Sequence, residues 1–393
     1  MLARSLFMLF QAPPLDDDEI SVLARIGELK ASLRLRLQEP RRWSDSLERF
    51  QFARAIQGSN GIDGFHALLD DATAIDLGEP PIDTDEVARL VLKGYRDAMT
   101  YVAQLSSDGD FAYSSQLVKG LHFIMGSHDT KDRPGRWRVG PASVLDRATG
   151  ETIYMGPDAG DVPTLMNELA DSLQSSDGSP ALVRGALAHL NLVMIRPFQN
   201  GNGRIARCLH ALVLAKQGVL TPTYGSVDEY LGRNAQDYFD VLGQVGARSW
   251  QPDRDARPWV RFMLTAHLRQ AQTLKRRVGE NDLLWGQLEK LVASKGLPDR
   301  TVVALYDASV GLRVRSATYR ASLNGTSTEE ITEVTASRDL RQLSENGLLE
   351  AVGEKRGRHY RATTDLRALW RAITDARKKK DRVDPFLKPE KRN

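Results

Sequence analysis

The stretch Arg196-Pro197-Phe198-Gln199-Asn200-Gly201-Asn202-Gly203-Arg204-Ile205-Ala206-Arg207 decides the fold. An apolar run at about residues 181–195 precedes it, and a second run at about residues 204–217 follows it. These runs predict two helices joined by a tight loop. Gly201 and Gly203 let the loop turn with positive φ and leave its N–H groups exposed.

The loop leads into a helix N-terminus, where unpaired N–H groups and the positive end of the helix dipole attract anions. Arg204 and Arg207 are three residues apart, so both side chains can lean toward one ligand. Guanidinium groups bind phosphate oxygens in pairs. The residues therefore predict a phosphate cradle. An ordinary helix–glycine–helix corner with two surface arginines is the less favoured alternative, because the combined string is specific.

The string is similar to that of the Fic family, which reads His-Pro-Phe-x-Asp/Glu-Gly-Asn-Gly-Arg-x-x-Arg. Members typically move AMP from ATP onto a hydroxyl side chain of a target protein, and some transfer other phosphate-containing groups. The resemblance implies ATP as a substrate. It also implies a nucleotide- or phosphate-binding role for six residues, which are Phe198, Gly201, Asn202, Gly203, Arg204 and Arg207.

Two positions expected to be catalytic depart from the family string. Arg196 stands where the family has its catalytic histidine, and a guanidinium group stays protonated, so it cannot accept a proton. Arg196 can still hold a phosphate. Asn200 stands at the acidic position, and its uncharged oxygen should hold Mg²⁺ more weakly than a carboxylate does. No other metal site is predicted, and His189 and His210 are interpreted as structural.

The sequence predicts a helix at about residues 46–56, and residues 57–64 then read as a turn on their own. Beside the resemblance they look like the family's inhibitory segment, Ser/Thr-x-x-x-Glu-Gly/Asn, here Ser59-x-x-x-Asp63-Gly64. That implies an ion pair between Asp63 and Arg207 which blocks the γ-phosphate. Aspartate is one methylene shorter than the family's glutamate, and a plain loop with a helix cap is the alternative.

Two β-prone runs within residues 142–156 surround Ala148-Thr149-Gly150 and predict a β-hairpin. In the Fic family a hairpin at this place clamps the target protein by strand pairing. A solvent-exposed structural hairpin is the alternative. After the motif, the resemblance implies that Asn234 and Tyr238 lie near the adenine; an amide and an aromatic ring suit a purine.

The C-terminal part has the pattern of a winged helix, an appendage that many Fic proteins carry. Arg338 and Arg341 lie on the outer face of a short amphipathic helix, and Arg356 and Arg358 lie in a basic turn between two strands. These four residues are the candidates for DNA binding. Winged helices also bind proteins or dimerise, so the fold alone does not decide the partner. The basic tail after residue 376 is interpreted as a solvated end.

Composition fits a soluble globular protein: 41% of the 393 residues are hydrophobic, 27% are charged, and the net charge is +3. The lone Cys208 fits a reducing cytoplasm, and no apolar run reaches the length of a membrane span. The mostly apolar residues 1–10 are interpreted as a segment that packs against the rest of the protein. We expect an all-α Fic-type core with a β-hairpin flap, followed by a winged helix. The expected divisions are an N-terminal helical segment (1–41), a Fic-like domain (42–279), a winged-helix domain (280–375) and a basic tail (376–393). Separate helices are expected at residues 258–277 and 282–293, on either side of the boundary at 279/280.

Three functional interpretations follow. The first is a nucleotide-dependent transferase acting on a protein hydroxyl, with chemistry altered around Arg196. The second is a catalytically silent nucleotide binder, or a regulator acting through its winged helix, since loss of a general base typically costs roughly 10²–10⁴ in rate. The third is that Arg196 arose by substitution of a histidine. Expected partners are a target protein on the 142–156 hairpin, DNA, and a second copy of the chain; no membrane partner is expected.

Overall fold

The computed structural model describes residues 8–39, 41–145, 152–175, 178–324, 330–354, 357–377 and 383–386. Helices dominate the first part of the chain, and they are α1 (Asp17–Gln38), α2 (Ser44–Ile62), α3 (Leu69–Asp76), α4 (Glu86–Ser107), α5 (Ser115–Gly126), α6 (Val162–Gln174), α7 (Ala181–Ile195) and α8 (Asn202–Lys216). The helices that follow are α9 (Pro222–Gly225), α10 (Asp228–Arg233), α11 (Ala235–Gly246), α12 (Arg257–Ser294), α13 (Thr301–Ser309), α14 (Ser316–Asn324), α15 (Glu333–Glu345) and α16 (Thr364–Asp375).

Two small sheets accompany the helices. The first contains β1 (Ser143–Leu145), β2 (Thr152–Met155) and β3 (Arg248–Ser249) in that order, with β1 antiparallel and β3 parallel to β2. The second pairs β4 (Leu349–Val352) with β5 (His359–Ala362). The tip of the predicted hairpin, residues 146–151, lies outside the described residues, while its two strands pair as the sequence predicted. The predicted helical fold with a small sheet is confirmed.

Helices α7 and α8 form the centre of the largest apolar core. Both are apolar around most of their surface, which is typical of buried helices. They pack against α4, α5 and α6, and Phe198 of the intervening loop is fully buried among them. The loop is therefore held on a rigid base. Leu9 and Phe10 are also buried, and the Phe10 N–H donates to Asn191 Oδ1 at 2.8 Å, so this end of the predicted packing segment does pack.

Helix α2 is longer than the sequence pattern indicated. The pattern ended near Ile56 and made residues 57–64 a turn, but the helix continues to Ile62. The glycine that suggested a turn instead permits close packing on α10. A Cβ on Gly58 would lie 2.4 Å from the Asp228 carbonyl oxygen, and one on Gly232 would lie 2.7 Å from the Gly58 Cα. The prediction of a turn was wrong because these contacts are remote in sequence.

We expect Gly58→Ala to lower the free energy of unfolding by about 1–3 kcal/mol, because the added methyl group forces two backbones apart. Gly27→Ala in α1 is the matched control. Its Cβ meets no atom within 4 Å, so it should stabilise the chain by roughly 0.5–1 kcal/mol. Urea unfolding of both variants measures the difference. Equal stabilities would show that α2 and α10 do not approach this closely.

Helix α12 also differs from the prediction. The sequence predicted one helix at residues 258–277 and another at 282–293, with a domain boundary at 279/280. The structure has one helix of 38 residues that passes through this boundary. Its second half packs in a core that also contains Leu33 of α1, Trp43 just before α2 and Leu47 of α2. The N-terminal helices therefore contribute to the core of the C-terminal part.

The C-terminal part follows the order α13, α14, α15, β4, β5 and α16. Val314, between α13 and α14, forms an antiparallel bridge with Tyr360 of β5 and so adds a short third strand. Ala336, Leu340 and Leu343 of α15 are buried against this sheet. The outer face of α15 is thereby directed to solvent.

Within the described ranges, no helix combines the length and the apolar character that a membrane crossing requires.

Candidate functional site

The loop between α7 and α8 is fixed by its own backbone and by one arginine. Arg196 ends α7 in the left-handed conformation at φ 50°, which costs a non-glycine residue about 1–2 kcal/mol. Arg138 holds it there, since Arg138 Nε donates to the Arg196 carbonyl oxygen at 2.8 Å and the Arg138 N–H donates to the Pro197 oxygen at 2.9 Å. Such local strain is common at functional sites.

The buried Asn202 closes the loop from inside. Its Oδ1 accepts from the Phe198 N–H and its Nδ2 donates to the Phe198 oxygen, both at 2.9 Å. Gly201 adopts φ 73° at the start of α8, as predicted, but Gly203 lies in the first turn of α8 and does not adopt the predicted positive φ. Phe198 and Asn202, predicted to bind the ligand, thus shape the loop, and Asn202 also lines the cavity beside it.

His122 of α5 packs against the loop and stabilises it. Its ring stacks on Phe198 with centroids 3.7 Å apart and planes 2° apart. The Gly135 N–H donates to His122 Nδ1 at 2.9 Å, so the proton is on Nε2, which donates to the Asn200 oxygen at 3.2 Å. Burial lowers the pKa of His122 to about 4, so the ring is neutral at physiological pH. Both ring nitrogens therefore form hydrogen bonds to the backbone, and His122 stabilises the conformation of the loop.

A cavity of about 650 Å³, called here the loop cavity, opens over Asn200, Gly201, Asn202 and Gly203. Its apolar walls come from α4, α5 and α11 and from the end of α2. Its polar end is formed by Arg196, Arg204 and Asp63. The volume is typical of sites that take small molecules. The Arg204 guanidinium also lies 5.5 Å from the Phe65 ring centroid, over an aromatic wall of the cavity.

Asp63 follows the end of α2 and contacts both motif arginines. Its Oδ2 lies 2.9 Å from Arg204 Nε and 3.5 Å from Arg207 Nη2. Ser59 Oγ accepts from Arg207 Nε at 2.6 Å, and the Ser59 carbonyl oxygen accepts from Arg207 Nη2 at 2.8 Å. The ion pair predicted from the sequence joined Asp63 to Arg207, but in the structure the nearer partner of Asp63 is Arg204. Gly64 adopts φ 93°, which lets the chain turn away after Asp63.

The arginines keep unused donors. Among the described residues, Arg196 Nε, Arg204 Nη1 and Arg207 Nη1 are buried and have no hydrogen-bond partner. Burial lowers the pKa values of Arg196 and Arg204, and nearby Asp63 offsets part of that effect. Burial acts the same way on Arg207, but the charge of Asp63 leads the effects that raise its pKa above the ordinary range. Buried donors without partners are costly, and an anion in the loop cavity could satisfy those of Arg196 and Arg204, which line it. The side chain of Arg207, predicted to bind phosphate, is fully buried and does not line the cavity.

The two residues predicted near adenine do not reach the loop cavity. Tyr238 is buried and its hydroxyl lies 3.0 Å from His189 Nε2. Asn234 Nδ2 donates to the Tyr230 oxygen at 2.7 Å. The neighbouring Phe239 lines the cavity instead, with 44% of its surface exposed.

The predicted DNA-binding residues lie away from this site. Arg338 and Arg341 are exposed on α15, and Arg358 lies just before β5 with its guanidinium 5.8 Å from the Tyr360 ring centroid. Arg356 and most of the basic tail lie outside the described residues.

The loop does not provide the donors that Mg²⁺ prefers. Asn200 brings no carboxylate, and the carboxylate nearest the arginines, Asp63, is bound to them. Across the described ranges, no group of three or more histidine, cysteine or acidic side chains gathers as a metal site.

The sequence did not single out the residues that support the loop from outside the motif. Arg138 and His122 act on it from 58 and 78 residues earlier in the chain. Tyr154 of β2 also bonds to α7, since its hydroxyl donates to the Met194 oxygen at 2.8 Å. The pattern Arg136-Trp137-Arg138 was the one local feature of the sequence that could have indicated a role for this segment.

Comparison with known proteins agrees with this fold. Residues 112–214 match the Fic/DOC family, and this part of the chain is a Fic/DOC family domain. The chain is 26% identical over 219 residues to the protein adenylyltransferase Fic of Nematostella vectensis. The match covers 53% of this chain and 45% of that relative, so the chain spans less than half of the relative's length.

Solved structures show the same fold. A Fic family protein from Desulfovibrio desulfuricans is 22% identical with a TM-score of 0.57, and the match covers 90% of this chain and 99% of that one. A Fic domain containing signaling protein from Bacteroides thetaiotaomicron is 20% identical with a TM-score of 0.52, covering 67% of this chain and 97% of that one.

Proposed function

We propose that the loop cavity binds ATP with its phosphates against the loop and its adenine between the apolar walls. The observation that carries this proposal is that Arg196 Nε and Arg204 Nη1, on two arginines that line the cavity, are buried and have no hydrogen-bond partner among the described residues. Charge-assisted bonds from guanidinium groups to phosphate are among the strongest in proteins. The relative from Nematostella vectensis, named as a protein adenylyltransferase, supports ATP as the nucleotide.

We propose further that the chain transfers AMP from this nucleotide with altered catalysis. Arg196 cannot take a proton from a hydroxyl acceptor, but its guanidinium can stabilise charge on the α-phosphate. A target segment can dock on β1, which is one of the two edge strands of its sheet. The alternative is a silent nucleotide binder, which the loss of a general base and of an acidic residue at position 200 favours.

Nucleotide binding tests the first part of this proposal. We expect Arg204→Gln to weaken ATP binding about 10–100-fold, because one charge-assisted phosphate contact is worth roughly 1.5–3 kcal/mol. Arg25→Gln, at an exposed position of α1, is the matched control and should bind ATP as the unaltered chain does. Isothermal titration calorimetry measures all three affinities. If neither variant weakened ATP binding, or if both did, the assignment of the phosphate site would be overturned.

Mass spectrometry of AMP additions then separates transferase from silent binder. The unaltered chain and Arg196→His are each incubated with ATP and cell lysate. AMP added to proteins by Arg196→His alone would assign the unaltered chain to the silent or repurposed class.

DNA binding by the C-terminal part stays a prediction. The order of its helices and strands, with the Val314–Tyr360 bridge, supports the predicted winged helix. The exposure of Arg338 and Arg341 on α15 supports their prediction as DNA contacts. Formation of a homodimer also stays a prediction.

A further inference from the structure

A second cavity, of about 440 Å³, lies beside the loop. One wall is the segment from Asp132 to Ser143, and the other comes from Arg196 and Gln199. Arg196 and Asp132 line both this cavity and the loop cavity, so the two are direct neighbours. A molecule in the second cavity would therefore meet a nucleotide held over the loop at Arg196.

The second cavity is strongly basic. Arg133 and Arg136 are exposed, and their guanidinium groups have no hydrogen bond or ion pair to any described residue. With Arg196, three available guanidinium groups face the single carboxylate of Asp132, an excess of two positive charges. The fourth arginine, Arg138, is not available, because it bonds to backbone oxygens of the loop and of Gly140. We call this site the basic cavity.

The lining of the basic cavity lacks a strong proton acceptor among the described residues. Beside the arginines, its side chains are aromatic, apolar, amide or hydroxyl groups and the Asp132 carboxylate. A carboxylate is a weak base toward a hydroxyl group, and a guanidinium group is none. An acceptor that must lose a proton during attack is therefore poorly served here. An acceptor that arrives already ionised needs no base and matches the charge.

We propose that the basic cavity binds a phosphate monoester, held by Arg133, Arg136 and Arg196, and that this phosphate is the acceptor of the AMP group. This inference rests on the proposed function, since ATP in the loop cavity supplies the AMP. It gives Arg196 a positive role: its charge lies between acceptor and donor phosphates, whose mutual repulsion it reduces.

The transfer step balances without a proton acceptor. A phosphate monoester is largely dianionic at neutral pH, because its second pKa is about 6. One of its oxygens attacks the α-phosphorus of ATP and forms a new P–O bond. The bond from the α-phosphorus to the oxygen bridging to the β-phosphorus breaks, and pyrophosphate leaves with that electron pair. The products are pyrophosphate and an acceptor joined to AMP through a phosphoanhydride.

The experiment uses phosphoserine and serine as matched acceptors, each as the free amino acid and within one peptide. Full-length chain is incubated with ATP, and pyrophosphate release and adduct mass are measured. Calorimetry follows binding of ATP and of phosphoserine separately. We expect AMP adducts with phosphoserine and none with serine. The free and peptide forms distinguish a small-molecule acceptor from a phosphorylated protein.

Arg136→Gln tests the site itself, and Arg25→Gln is the control. Because Arg136 is exposed, its replacement should leave the fold intact. We expect about tenfold or greater loss of phosphoserine affinity with unchanged ATP affinity. Absence of saturable phosphoserine binding at about 10 mM, or equal affinity in Arg136→Gln, would overturn the site. Binding without adduct would overturn its role as acceptor. Failure to bind ATP would overturn the proposed function itself, and the separate titration with ATP distinguishes this result from failure of the phosphoserine site.

Discussion

Asp63→Asn is expected to raise the affinity for ATP by about 10–100-fold, since releasing one charge-assisted contact is worth roughly 1.5–3 kcal/mol. The carboxylate lies 2.9 Å from Arg204 Nε and so occupies the arginine that a phosphate needs. Asparagine keeps the shape of the side chain and removes its charge. The competition between carboxylate and phosphate should then end, while Ser59 continues to hold Arg207.

Asp129→Asn provides the matched control for Asp63→Asn. Its carboxylate lines the same cavity but accepts from the Lys131 N–H at 2.9 Å. Removing this charge changes the local potential without freeing Arg204, so we expect only a small rise in affinity. Calorimetry with ATP compares both variants. If the two raise affinity equally, the effect of Asp63 is general electrostatics and not occupation of the phosphate site.

The second large effect is on stability, and it depends on pH. His189, His210 and His267 are all buried, and burial lowers their pKa values, that of His210 to about 3. Unfolding exposes these rings, which then bind protons below pH 6.5 that the folded chain does not bind. The free energy of unfolding should therefore fall as pH falls below 6.5, by about 4 kcal/mol per pH unit when all three rings contribute.

Lys30 extends this dependence to alkaline pH. It is buried, its Nζ lies 3.4 Å from His267 Nδ1, and burial lowers its pKa from 10.5 to about 7. The unfolded chain holds this proton between those two values, so stability should rise as pH increases from 7 toward 10.5. Lys30→Met should remove this rise and stabilise the chain at neutral pH, by about 5 kcal/mol at most.

Urea unfolding between pH 5 and pH 10 measures both slopes. His66→Gln is the control, because His66 is exposed and its replacement should leave the acid slope unchanged. A free energy of unfolding that stays constant from pH 7 to pH 5 would contradict the buried, neutral state of the three histidines.

Local sequence was sufficient to predict much of the fold and the loop. Apolar periodicity predicted α7 and α8, and the spacing of Gly201, Gly203, Arg204 and Arg207 predicted the loop between them. These features depend on neighbours within a few residues. The predicted strands on either side of residues 146–151 also pair, because β-prone runs close in sequence find each other readily.

The features that the sequence failed to predict have a different cause, which is contact between residues that are remote in sequence. Gly58 looked like a helix breaker, but its partner on α10 is about 170 residues away. The basic cavity joins the segment around Arg136 to Arg196, sixty residues later. Tyr238 and Phe239 adjoin in sequence, and only packing decides which one faces the cavity. Periodicity contains no information of this kind.

The continuity of α12 makes the C-terminal part difficult to treat as an exchangeable module. A cut at residue 279 would strand the buried Leu284, Trp285 and Leu288 on one piece and expose Leu274 and Val278 on the other. The buried ion pair between Arg49 and Asp307, at 2.9 Å, would be divided as well. Both pieces would lose part of one shared core, so the whole chain is expected to melt in a single cooperative transition. An exchange of the C-terminal part would therefore have to include α1, α2 and the second half of α12, whose residues share its core.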